Sequence, residues 1–153
     1  KRVIETIDQM QHVLQPEMEE HIRRWRTMGD AVDDWEQNVD TLRVFARKRP
    51  AHLRTQIVEH FNLPGTAVLT LQAEPEEGYI QVNSISIIKD TPGVENPENW
   101  SGVYFVGVPV QVSAVPNPGY TFAGWDGVDQ AGDRIMLELT GNLTLRVKFT
   151  AIP

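Results

Sequence analysis

Asn117-Pro118-Gly119-Tyr120-Thr121-Phe122-Ala123-Gly124-Trp125-Asp126-Gly127 is the stretch that decides how this chain folds. Asn-Pro-Gly is a turn signature: proline presets one central φ and glycine accepts a positive one at the next. Tyr120 to Phe122 then read as a short aromatic strand, broken at Gly124-Trp125 and turned again at Asp126-Gly127. Strict alternation places Trp125 on the face opposite Tyr120 and Phe122. A kink at Gly124 is what would let all three rings share one core.

Working outward toward the C-terminus, Ile135, Leu137 and Leu139 alternate with Met136 and Glu138. After Thr140-Gly141-Asn142, Leu143, Leu145, Val147 and Phe149 alternate with Thr144, Arg146 and Lys148. The pattern predicts a hairpin with one buried and one wet face, Gly141 or Asn142 taking a positive φ. Toward the N-terminus, strands are predicted at Ala67–Ala73, Tyr79–Ile88, Val103–Val106 and Val108–Val115. Asn83-Ser84 flips the parity between Ile80/Val82 and Ile85/Ile87, so a bulge or break is expected there. Lys89–Gly102 is long, polar and rich in Pro, Gly and Asn, the composition of a functional loop, and it carries Trp100.

Before Gly65 the apolar period is helical. Val3, Ile4, Ile7, Met10, Val13 and Leu14 step by threes and fours, and Pro16 reads as the start of a second helix with Met18, Ile22 and Trp25 buried. Gly29 is its stop, and Asp30 an N-cap for a third helix carrying Val32, Trp35, Val39, Leu42 and Phe45 or Ala46. Pro50 opens a short fourth, with Leu53, Ile57 and Phe61 inward. Trp25 and Trp35 are both expected in the core, since each buried ring removes about 150–250 Å² from water. Asn62-Leu63-Pro64-Gly65 is the boundary, dividing residues 1–64 from residues 65–153. The fold class is therefore α+β: three to four helices, then a small antiparallel all-β domain, a β-sandwich or β-grasp-like.

Composition narrows function by exclusion. The chain has 153 residues, a net charge of −7, no cysteine, and four Trp, three Tyr and five Phe. Residues 1–63 hold 10 basic and 11 acidic side chains, residues 64–153 only 4 against 10. An acidic surface argues against nucleic acid as a partner, because phosphate binding needs cations. Absent cysteine removes disulfides, thiol nucleophiles and Cys-ligated metals. No apolar run approaches the roughly 20 residues that span a bilayer. The opening Lys1-Arg2-Val3 reads as a piece of something longer.

No reactive constellation emerges. His12, His21, His52 and His60 lack the i,i+4 spacing of a helical metal site, and surface histidines are the better reading. Asp126, Asp129 and Asp133 with Gly127 and Gly132 suggest a calcium loop but miss the alternating ligands and terminal Glu of an EF-hand, so a solvated acidic loop is expected. Arg23, Arg24, Arg26 and Arg47 to Arg49 are interleaved with acids and read as solvated helix ends. No paired carboxylates, phosphate loop or nucleophile elbow stands out. No catalytic residue, metal or cofactor is assigned. The candidate ligand-binding residues are Trp100 and Tyr104, placed to stack on a sugar face, with Asp126 and Asp129.

Two resemblances add context. Gly102-Val103-Tyr104-Phe105, Gly107 to Val112, Pro118 to Trp125 and Leu143 to Phe149 resemble the divergent internalin-B-type repeat, a small β module of bacterial surface and secreted proteins. Glu19 to Trp25, Trp35 to Asn38 and Leu42 to Pro50 resemble the C-terminal helices of CotH-type (spore-coat protein H) proteins, atypical secreted kinases whose ATP and metal ligands lie upstream of this region. The resemblances imply a non-catalytic C-terminal fragment of a secreted or cell-surface bacterial protein. Its helices complete the parent's upstream part, and its β module serves surface attachment or protein interaction. As a fragment it is expected to be a monomer. A carbohydrate- or wall-binding module is the alternative, a small hydrolase a third.

Overall fold

The structure, a computed structural model, describes residues 2–25 and 32–153. It divides into two compact units, residues 1–56 and 57–153. The expected helix stop at Gly29 and N-cap at Asp30 lie outside the described residues.

Among the described residues there are two helices, not three or four: α1, Arg2–Trp25, and α2, Val32–His60. Pro16 and Pro50 sit inside them instead of opening new helices. A mid-helix proline removes one hydrogen bond and crowds the preceding turn, at about 3 kcal/mol. Continuity wins because the buried line runs in register through it: Ile7 and Gln11 before Pro16, Met18 and Ile22 after. Asp8 and Gln11 of α1 meet Arg43 of α2, while Gln15 meets Glu36, so the helices run antiparallel. Between them Met18, Ile22, Trp35 and Val39 form a small core, with Ile7 and Val32 against it.

Trp25 does not join that core. It is 58% exposed, with the Arg24 guanidinium 5.2 Å from its ring centre. Leu42, Leu53 and Phe61, also expected inward, are exposed; of the alternatives Phe45 and Ala46, Phe45 is exposed and Ala46 partly buried. Spacing of three and four defines a line along a helix, and one helix partner covers only part of it.

The second unit is a β-sandwich of eight strands: β1 Thr66–Gln72, β2 Gly78–Val82, β3 Ile85–Ser86, β4 Asn99–Phe105, β5 Pro109–Pro116, β6 Tyr120–Asp126, β7 Arg134–Glu138 and β8 Leu143–Ala151. One sheet has the order β4-β1-β8-β6, the other β3-β2-β5-β7. Leu69, Leu71 and Leu145 from the first and Ile80, Val82 and Val112 from the second are almost wholly enclosed. Each such aliphatic side chain contributes about 1.5–3 kcal/mol by burial.

Two expectations need correction. β7 and β8 do not form a hairpin: β7 pairs with β5 and β8 with β6 and β1, so residues 139–142 cross between sheets. Neither Gly141 nor Asn142 takes a positive φ; the Asn142 side chain instead accepts the Val68 N–H at 2.8 Å. Alternation reports which face is buried, and both strands bury a face toward the same core. Nor is the unit wholly antiparallel, because β8 lies parallel to β1 (Leu69 beside Leu143). At Asn83-Ser84 the expected break is a tight reversal between β2 and β3, with Asn83 at φ 51°.

Candidate functional site

The organising stretch is built as its residues dictate. Tyr120 N–H closes the turn onto the Asn117 carbonyl at 3.0 Å, with Gly119 at φ 90°. The Asn117 amide donates to the carbonyls of Pro75 and Glu76, fastening this turn to the one after β1. In β6, Phe122 faces Phe149 of β8 while Gly124 faces Lys148, so Ala123 is an extra residue in a bulge. With Gly124 at φ 151°, the bulge restores Trp125 to the Val147 side, where it is buried. Its indole N–H donates to the Gly132 carbonyl at 2.9 Å, tying the β6–β7 connection to the core.

Trp100 lies not in a loop but in β4, opposite Leu71; Tyr104 in the same strand is opposite Ala67. Both are half-buried and turned toward the core. They flank Gly102, where a Cβ would run into the Trp100 ring and stand 2.9 Å from that of Tyr104. Glycine is required there by the two rings. Burial pushes the Tyr104 phenol above its ordinary value.

Asp126 ends β6 and pairs with Lys148 at 2.6 Å. Asp129 is exposed in the β6–β7 connection. Since β4 and β6 are opposite edges of one sheet, three strand spacings, about 14 Å, separate the aromatic pair from Asp126. The four candidates therefore do not converge.

Another place does gather polar groups. A cavity of about 650 Å³ lies at one end of the sandwich, lined by Tyr79, Ile87, Lys89, Asp90, Glu95, Asn96, Glu98 and Asn117, among others. The Lys89–Gly102 segment, expected as a loop carrying Trp100, lines this cavity through Lys89, Asp90, Glu95, Asn96 and Glu98, while its C-terminal end, Trp100 included, is in β4. Asp90, Glu95 and Glu98 are the acidic side chains of that lining. Among the described residues no group of three or more His, Asp or Glu stands where it could hold a metal ion. No helix among them is long and apolar enough to cross a membrane.

Comparison with known proteins gives one result. Residues 89–153 match the family described as the divergent InlB B-repeat domain. The match begins between β3 and β4, so it takes in β4 to β8 and leaves β1, β2 and β3 outside. This part of the chain is similar to that family. Comparison with curated proteins and with solved structures returns no match.

Proposed function

We propose that the chain is a non-catalytic, surface-presenting part of a larger secreted or cell-surface protein of the CotH type. Its helical hairpin completes the upstream part of the parent, and its sandwich serves surface attachment or protein interaction. One observation carries the reading: Val3, Met10 and Leu14 of α1 and Leu42 and Phe45 of α2 are all more than half exposed. On ideal helices each lies about 40–100° round from its helix's buried line, in the same rotational sense. In an antiparallel pair that sense puts them on one side of the hairpin. A hairpin whose core is four side chains, with such a face beside it, is one layer of a larger body.

The similarity of residues 89–153 to the divergent InlB B-repeat supports the second half, because that family is associated with bacterial surface proteins. The test is amide hydrogen exchange in α1 and α2, compared between this chain and the parent extended upstream. Protection in both helices should rise at least about tenfold in the parent. Equal exchange in the two would remove the docking role, and nucleotide turnover by this chain alone would remove the non-catalytic one.

The end cavity favours a second reading, a glycan- or wall-binding module. Its volume suits one or two sugar rings, with Tyr79 as an apolar wall and Asn96, Asp90 and Glu98 as hydroxyl acceptors. Glycan-array binding lost in Tyr79→Ala and kept in Trp100→Ala would favour it; no binding at all would end it.

A further inference from the structure

Sheet edges are open rows of backbone donors and acceptors, and proteins ordinarily blunt them. Three of the four edges here are blunted. β3 is two residues long. β6 is interrupted by the bulge at Ala123. β7 carries Arg134 and Glu138 at its ends, and the Gln130 side chain donates to its Met136 carbonyl at 3.2 Å.

β4 has none of these devices. Asn99-Trp-Ser-Gly-Val-Tyr-Phe105 is seven residues without a charge, a proline or a bulge, and β1 is its one strand neighbour. The ladder fixes which groups are free. Ala73 N–H bonds the Glu98 carbonyl, and Val106 N–H bonds the Gly65 carbonyl, so even-numbered residues address β1. Asn99, Ser101, Val103 and Phe105 therefore point their N–H and C=O groups away from the sheet, the Phe105 carbonyl already accepting the Val108 N–H at 3.3 Å.

We propose that β4 pairs antiparallel with β4 of a second copy, about a two-fold axis at Gly102, joining two four-stranded sheets into one of eight. The strand is self-complementary in that register. Ser101 falls opposite Val103 of the second copy and Asn99 opposite Phe105, giving two central pairs that each exchange two free backbone hydrogen bonds and two outer pairs in which the Phe105 carbonyl shares its acceptor with the Val108 N–H. On the inner face, Trp100 falls opposite Tyr104, an aromatic cross-strand pair. The two facing Gly102 residues leave the room those rings need. No like charges are brought together, although the unit is acidic overall. A strand pair about 24 Å long is at the small end of specific interfaces, so the dimer is weak, with Kd about 10–100 µM. This departs from the monomer expected of a fragment, and it stands apart from the hairpin and glycan readings, which do not involve this edge.

Sedimentation equilibrium of the full chain tests it. The wild type should dimerise in that range. Ser101→Lys/Val103→Lys and Ser101→Glu/Val103→Glu each set like charges opposite one another, and each should weaken association at least about tenfold; an equimolar mixture should restore it. The wild type alone gives a reading free of folding defects: amide exchange at Asn99, Ser101, Val103 and Phe105 should slow as concentration rises. A chain that stays monomeric to about 1 mM, a dimer indifferent to both double variants, or concentration-independent exchange at those amides overturns the proposal.

Discussion

Phe122 and Trp125, three positions apart on one strand, bring their ring centroids within 5.5 Å at an interplanar angle of 54°. A regular strand would send them to opposite faces. The extra residue at Ala123 and the positive φ at Gly124 reconcile them, and the indole bond to Gly132 then fixes the next connection.

That geometry makes Gly124→Ala costly for a conformational reason. A side chain at φ 151° is strained, at about 1–3 kcal/mol. Trp125→Ala opens a cavity in the core and should cost about 3–5 kcal/mol. Deleting Ala123 keeps Phe122 and Trp125 on one face of a regular strand and should cost less than Trp125→Ala. Urea denaturation of the three variants gives the order.

The two helix tryptophans should part company. Trp35→Ala removes a buried ring and should cost the hairpin about 3–5 kcal/mol, whereas Trp25→Ala should stay within about 0.5–1 kcal/mol. Thermal unfolding followed by helical circular dichroism separates them.

Pro16→Ala restores a hydrogen bond inside α1 and should stabilise the hairpin by about 1–3 kcal/mol. The same melting experiment reads it. A loss of stability would mean that the proline ends a helix after all.

Tyr104 sets an alkaline limit. Its phenol is raised above 10.0 by burial, so the folded chain holds this proton more tightly than the unfolded one. Stability is intact below pH about 10 and falls as pH rises toward the folded value, because only the unfolded state gains from ionisation there. Tyr104→Phe should flatten that alkaline decline in denaturant midpoint against pH.

How much of this was readable beforehand depends on the kind of information. The change of period near Gly65, the turn at Asn117 and the need for a kink at Gly124 follow from local sequence, because periodicity and glycine are local properties. Pairing is not local. Ile135 to Leu139 and Leu143 to Phe149 have the same pattern whether they face each other in a hairpin or face one core from two sheets. Pro16 misleads because the apolar line through it outweighs one lost bond. Trp100 misleads because its neighbours are polar, while its register opposite Leu71 is set 29 residues away. The end cavity is assembled from four separate segments, so no single window of sequence displays it.

The proposed function has this chain act through its surfaces, without chemistry of its own. The most direct measurement is binding of the immobilised full chain to bacterial envelope proteins, with nucleotide turnover followed in parallel. Saturable, protease-sensitive binding and no turnover are expected. Absence of any saturable envelope partner, or phosphotransfer by the chain alone, would contradict it.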